Sequence, residues 1–219
     1  MPLAAWLDRV LYRHPFEGGS ARRYALAERP AFGDLDDRLL DELPALATAR
    51  RLLDLGFGPG TFASRALARH PQLDVIAIDP SRDFARPHPG LSVIRATGEA
   101  LPIGSGSIDV AICLSSIRHV RDRAATLREL RRVIRIGGTL VIAELDPAAS
   151  PARIAAHADR LGAGDAVVGA ALLRRAFGPL VVRTAPTWET IRDLALAAGW
   201  QLRARRDDPV QPVYVMELQ

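Results

Sequence analysis

Short apolar runs alternate with amphipathic stretches through the middle of the chain, and that rhythm sets the architecture to expect. Runs at 51–55, 74–78, 91–94, 108–114 and 139–144 are rich in Leu, Val, Ile and Ala and carry few polar interruptions. Strands covered by helices on both faces read this way, so the pattern predicts a parallel sheet buried from each side. Between the runs, residues 61–70 and 123–134 place apolar positions at helical spacing, and a shorter helical pattern spans 81–85. Upstream, 2–13 and 34–47 read as amphipathic helices, separated by a loop or short helix around Gly18-Gly19-Ser20.

Beyond Glu144 the alternation breaks. Residues 151–161 and 166–177 are helix-like and bounded by Gly and Pro. Thr187 is placed to cap a helix running to Ala198, with Gly199 ending it. Two alternating runs, 200–205 and 212–218, then flank the turn sequence Arg206-Asp207-Asp208-Pro209. Neighbouring strands joined this closely pair antiparallel. The expected fold is therefore α/β: a doubly wound, mostly parallel sheet of seven strands, helices on both faces, and a C-terminal antiparallel hairpin. We expect a single domain over 1–219. Within it, 1–47 is a helical cap, 48–146 a cofactor-binding core, 147–186 a helical substrate or lid insertion, and 187–219 the last helix and hairpin.

Composition narrows the class. The 219 residues are 48% hydrophobic and 25% charged, an ordinary globular balance. A net charge of +4 suggests nucleic acid at first sight. All 29 basic residues are Arg, however, and they are dispersed among acids, as in Arg128-Glu129-Leu130-Arg131-Arg132. A Lys-free chain has nothing to titrate near pH 10, which inflates its isoelectric point. Nucleic acid is thus not the expected partner. Cys113 is the single cysteine, inside an apolar run, and reads as a buried side chain. No apolar stretch is long enough to span a bilayer and no signal peptide is apparent, so a cytoplasmic location is expected. His70, His88 and His157 lack metal-ligand spacing, and no metal site is expected.

The chemistry concentrates where the first apolar run ends, at Asp54-Leu55-Gly56-Phe57-Gly58-Pro59-Gly60. Glycines at alternate positions make a tight turn that a ligand can approach closely, at the carboxyl end of a strand and the start of a helix. Two features argue against a dinucleotide. Thr61 stands where the dinucleotide fingerprint wants its third small residue. Asp54 precedes the loop, where it repels a pyrophosphate and favours a cationic group. Asp79 ends the next apolar run about twenty residues on, placed to accept from both hydroxyls of a ribose. Together these point to a ribose-bearing, positively charged ligand.

Leu53-Asp54-Leu55-Gly56-Phe57-Gly58-Pro59-Gly60 resembles the first motif of class I S-adenosylmethionine-dependent methyltransferases. Three further segments resemble that family in order. They are Ile76-Ala77-Ile78-Asp79-Pro80-Ser81, then Gly98-Glu99-Ala100-Leu101-Pro102 with Gly106-Ser107-Ile108-Asp109, then residues 127–134 with Gly137-Gly138. The similarity is greatest to the small-molecule, ubiquinone-biosynthesis-like subgroup, over roughly residues 50–145. It implies a Rossmann-like fold that binds S-adenosylmethionine and releases S-adenosylhomocysteine. It further implies that Gly56, Phe57, Gly58 and Gly60 pack against the methionine moiety with Asp54 near its amino group. Asp79 then holds the ribose, Pro80 or Ser81 borders the adenine, Thr97 and Gly98 face its edge, and Leu114 lines the sulfonium pocket. Thr97 departs from the family, where an acid often accepts from the adenine amino group. Ile136 replaces a proline, and Phe57 is larger than its usual counterpart.

His119 and Arg118 follow the fourth run, on the side of the sheet that faces the cofactor. His119 is the candidate for proton transfer or substrate contact, since its reference pKa lies near neutrality; its alternative role is to brace the loop through a backbone hydrogen bond. Arg118 either pairs with an acidic substrate or is solvated, the second being favoured. Tyr24 either covers the methionine end of the cofactor or packs on a helix. The Ala-, Leu- and Val-rich segments 1–47 and 148–182 suggest a hydrophobic or amphipathic small-molecule acceptor, or else a homodimer contact. The expected function is methyl transfer to that acceptor; the alternative is a cofactor-binding, catalytically silent partner protein of the same fold.

Overall fold

The computed structural model describes residues 6, 12, 13, 15–164 and 177–219. The chain enters through α1 (Gly19–Arg23), which runs directly into a π-helical turn at Tyr24–Glu28 and a 3-10 turn at Pro30–Phe32. The helix expected over 34–47 is shorter: α2 covers Leu35–Asp41, and Pro44–Ala47 forms a separate 3-10 turn. Pro44 explains the split, because it lacks an N–H and pushes Leu43 out of helical geometry. The helix expected over 2–13 lies largely outside the described residues, as does 166–176.

The core alternates as anticipated. Strand β1 (Arg51–Leu55) leads to α3 (Thr61–Arg69), then β2 (Asp74–Ile78), β3 (Ser92–Ile94) and β4 (Ile108–Leu114). Helix α4 (Arg123–Val133) follows and passes straight into β5 (Ile134–Leu145). That strand begins earlier than the apolar run at 139–144. Ile134 pairs with Ile108 while Thr139 pairs with Val110, so Gly137 and Gly138 form a bulge within the strand instead of a turn before it. Helix α5 (Pro151–Gly164), a second π-helical turn (Phe177–Val182) and α6 (Trp188–Ala197) precede the hairpin of β6 (Leu202–Asp207) and β7 (Val213–Leu218). Residues 81–85 form turns and no helix. There the Asp79 carboxylate and the Ser81 hydroxyl accept the N–H groups of Ser81 and Asp83, and one helical bond, from the Ala85 N–H to the Ser81 carbonyl at 2.8 Å, forms without being continued.

The seven strands lie in the order β3-β2-β1-β4-β5-β7-β6. β1 to β5 pair parallel, and β7 pairs antiparallel with both β5 and β6. Alternate strand residues feed two hydrophobic layers. Leu52, Val110, Ile112, Val141 and Ala143 face one, packed by α2, α3 and α5. Leu53, Ala111, Cys113, Leu140 and Ile142 face the other, under α4 and α6. Trp200 begins no strand; it is buried in this second layer and its indole N–H donates to the Leu127 carbonyl at 3.0 Å, tying the hairpin to α4.

Thr187 caps α6 as the sequence implies, its hydroxyl accepting from the Thr190 N–H at 3.2 Å. Thr187→Ala should therefore cost about 1 kcal/mol of stability in urea unfolding. An unchanged midpoint would show that α6 is held by packing alone.

Candidate functional site

The sheet order reverses between β1 and β4, and a crevice opens at the carboxyl ends of the strands there. Its volume is about 430 Å³, within the range of small-molecule sites. The wall comes from four strand ends in turn: Leu55, Gly56 and Gly58 after β1, Asp79 and Pro80 after β2, Thr97 to Glu99 after β3, and Ser115, Ser116 and His119 after β4. Phe16, Tyr24 and Phe84 close the remaining side.

The glycine turn is required by its backbone and by its neighbours. Gly56 and Gly58 have φ of +74° and +54°, which disfavours any Cβ. At Gly56 a Cβ would also lie 2.4 Å from the Ser116 Cβ. Asp79 holds the turn from the second strand: its Oδ2 accepts the Gly58 N–H at 3.0 Å and its Oδ1 accepts the Ser81 N–H at 2.8 Å. A carboxylate has about four lone-pair positions. Each Asp79 oxygen therefore retains one, which matches two hydroxyl donors on adjacent ribose carbons. Burial raises the Asp79 pKa, and the two N–H groups oppose that rise. The residues present thus fit a ribose-bearing cofactor.

Several sequence-derived candidates lie elsewhere. Asp54 is buried below the turn and off the crevice wall, with one carboxylate oxygen lacking a hydrogen-bond partner. Burial, reinforced by nearby Asp36, pushes its pKa from 3.8 to about 8, and Arg29 opposes the shift only in part because that guanidinium is already bonded to Asp36. Phe57 faces a neighbouring hollow on the outer side of the turn. Gly60, at φ +80°, starts α3 and packs towards His88. Leu114 belongs to the hydrophobic layer beneath the crevice; Ser115 and Ser116, one and two residues on, form the wall instead. Arg118 corrects the expectation of a solvated side chain. It is 2% exposed, donates to the Val181 carbonyl at 2.9 Å and the Thr184 hydroxyl at 3.1 Å, and lies 3.6 Å over the Tyr12 ring.

His119 lines the crevice and makes the backbone hydrogen bond expected of a bracing residue. Its Nδ1 is 2.7 Å from the Tyr12 carbonyl, which can only accept, so Nδ1 carries the proton. In the neutral ring Nε2 is then the basic nitrogen. Tyr24 sits in the π-helical turn, packs 5.3 Å from Phe16 and 6.2 Å from Phe84, and lines the crevice beside Gly58. Sequence reasoning missed Ser115, whose φ of +50° makes it the one non-glycine at positive φ among the described residues. Such strain costs about 1–3 kcal/mol and concentrates at functional sites. It also missed Glu144, wholly buried at the end of β5. An acid closing an apolar strand was the available signal, the same one that marked Asp54 and Asp79.

The Asp54 carboxyl yields a test. In the folded state it keeps a proton that the unfolded chain releases between its unfolded and folded pKa values, 3.8 and about 8. Folding stability therefore falls as pH rises through that window. Asp54→Asn, which cannot ionise, should gain stability over the wild type at about pH 9 relative to about pH 5. Equal differences in urea unfolding at both values would overturn the assignment.

Comparison with known proteins agrees with this geometry. Residues 53–142 match the model of the methyltransferase domain family. The chain is 33% identical over 143 residues to the ubiquinone/menaquinone biosynthesis C-methyltransferase UbiE of Syntrophotalea carbinolica, covering 60% of each protein. It is 36% identical over 109 residues to a demethylmenaquinone methyltransferase of Deinococcus radiodurans, covering 46% of this chain and 45% of that one. The match therefore spans only about half to three fifths of these relatives' lengths. In fold the chain resembles an S-adenosylmethionine-dependent methyltransferase from Aquifex aeolicus, with TM-score 0.65 and 14% identity over 90% of this chain and 96% of that one. With its glycine turn, acidic strand ends and 3-2-1-4-5-7-6 sheet, the chain is similar to the class I S-adenosylmethionine-dependent methyltransferases and has their fold.

Proposed function

We propose that this chain transfers the methyl group of S-adenosylmethionine to a small apolar or amphipathic acceptor, leaving S-adenosylhomocysteine. The observation that carries the reading is the Asp79 carboxylate, facing the crevice with one lone pair left on each oxygen after it has fixed the glycine turn. When bound, the cofactor supplies an electrophilic methyl carbon for in-line displacement. The remaining work falls to the chain. Asp79 orients the ribose, and Thr97 and Gly98 border the adenine side. Phe16, Tyr24 and Phe84 offer ring faces to a sulfonium cation and help exclude water.

His119 is the group we assign to the acceptor's proton. With Nδ1 held on the Tyr12 carbonyl, the ring is oriented and Nε2 takes up the proton as the acceptor's bond to the methyl carbon forms. The apolar character of the acceptor is supported by the crevice's three aromatic side chains. We assign the described residues of 12–47 and 147–186 to covering the crevice from the acceptor side. Tyr12, Phe16 and Tyr24 from the first segment and Val181 from the second already meet around a small inner cavity that adjoins it.

Two measurements test this. Asp79→Ala should weaken S-adenosylhomocysteine binding in calorimetry by about 1–3 kcal/mol, the value of unpairing a charged hydrogen-bonded group; unaltered affinity would remove the ribose assignment. His119→Gln should lower kcat by about a hundredfold, with a much smaller loss of cofactor affinity, in a methyl-donor turnover screen. Binding without turnover across a broad acceptor panel, in the wild type, would favour the catalytically silent reading.

A further inference from the structure

Behind the crevice lies a second, smaller cavity of about 60 Å³. It shares Phe16, Tyr24, Ser115 and His119 with the crevice, so the two are adjacent. A water molecule needs roughly 10–15 Å³ on this scale, which leaves room for a functional group of a few non-hydrogen atoms and no more.

Its polar lining is unusual for so small a space. Glu144, wholly buried, reaches it from the end of β5. The Oε1 of Glu144 accepts the Leu145 N–H at 2.9 Å and its Oε2 lies 3.4 Å from the Arg118 N–H, so acceptor capacity remains on both oxygens. Ser115, the strained residue, stands on the adjacent strand end, its N–H bonded to the Ala143 carbonyl at 2.7 Å. The buried Ser115 hydroxyl has no hydrogen-bond partner among the described residues. Buried unsatisfied hydroxyls are uncommon in folded proteins and call for an explanation. Phe32, Tyr12, Leu145, Leu161, Val181 and the shared aromatics supply apolar lining, Glu28 and His157 also reach it, and the positive charge of Arg118 opposes the effect of burial on Glu144.

We propose that this inner cavity is the specificity subsite for the methyl acceptor, and that Glu144 and Ser115 there recognise a neutral hydroxyl group on an otherwise apolar molecule. The argument is one of complementarity. A hydroxyl both donates and accepts, so it donates to Glu144 and accepts from Ser115. A carboxylate has no proton for Glu144 and meets its charge. An ammonium cannot accept from Ser115 and leaves that hydroxyl unpaired, at a desolvation cost that aromatic walls do not offset. A bare hydrocarbon leaves both polar groups unpaired. Glu144 and Ser115 are specificity residues here; the proton-transfer role stays with His119. The inference rests on the methyl-transfer reading only in calling the hydroxyl-bearing molecule the acceptor.

The test uses the whole chain and four probes of similar size: phenol, benzene, benzoate and benzylamine. Binding is followed by ligand-observed NMR, with the protein both free and loaded with S-adenosylhomocysteine. Phenol should bind about tenfold more tightly than each of the others. Glu144→Gln should reduce phenol affinity by about fivefold and leave S-adenosylhomocysteine affinity unchanged, since Glu144 is not on the crevice wall. Should that variant fail to fold, Ser115→Ala carries the test and should likewise narrow the gap between phenol and benzene. Equal binding of phenol and benzene, tighter binding of benzoate or benzylamine, or a preference that survives both variants would each overturn the proposal. If the wild type fails to bind S-adenosylhomocysteine, the cofactor reading falls, while the probe series on the free protein still decides the subsite.

Discussion

The hydrogen bond from the Gly58 N–H to the Asp79 carboxylate is the constraint around which the site is built. It joins the turn after β1 to the end of β2 across two adjacent parallel strands, so neither loop can move without the other. The backbone of Gly56 is held in the same way, its N–H donating to the Ile78 carbonyl at 2.7 Å. A carboxylate at position 79 thus has two tasks. It replaces the water that would otherwise satisfy an exposed loop N–H, and it keeps half of its acceptor capacity pointed into the crevice. Because the acceptor geometry is set before any ligand arrives, little ordering cost is left for binding to offset.

This division of labour shows why the sequence revealed some of the site and hid the rest. The core strands and the two helices between them were legible because burial on both faces forces continuous apolar runs, and little else produces them at this spacing. Gly56, Gly58 and Asp79 were legible because only special chemistry explains bare glycines and a carboxylate where apolar strands end. Arg118 was not legible. Nothing in Ile117-Arg118-His119 says that the guanidinium turns inward to Val181 and Thr184, more than sixty residues away in sequence. Contacts of that kind are set by how the segment after β5 folds back, which periodicity does not encode. Asp54 was legible as an acid in a chosen place, but its depth was not. One residue of strand decides whether a side chain lines the crevice or faces the hydrophobic layer below it.

Shifts in element boundaries have the same character. The segment 81–85 carries a helical pattern and makes one helical bond, from the Ala85 N–H to the Ser81 carbonyl, but Pro87 follows, and a residue before proline is pushed out of helical geometry. Gly137-Gly138 reads as a turn because glycine pairs end elements in most settings. In this chain the same freedom lets β5 bulge and continue to Ile134, lengthening the central pairing with β4. At Gly137-Gly138 local composition proposed one structure and the pairing with β4 imposed another.

Three acids end three of the parallel strands, and burial raises the pKa of each, but the surroundings answer differently. Asp54 has an arginine nearby that is committed to Asp36, so protonation is its cheapest state up to about pH 8. Glu144 is opposed by Arg118 and Arg123, whose positive charges lower the cost of keeping it ionised. For Asp79 it is two backbone N–H groups, of Ser81 and Gly58, that oppose the effect of burial. Dipoles stabilise a carboxylate without forming an ion pair that a ligand must break, and they leave its remaining lone pairs available to neutral donors. A guanidinium at the same place would hold those lone pairs itself. Backbone amides therefore stand against Asp79 in the crevice, whereas Arg118 and Arg123 act on Glu144 behind it, where the surrounding aromatic side chains offer a charge little solvation.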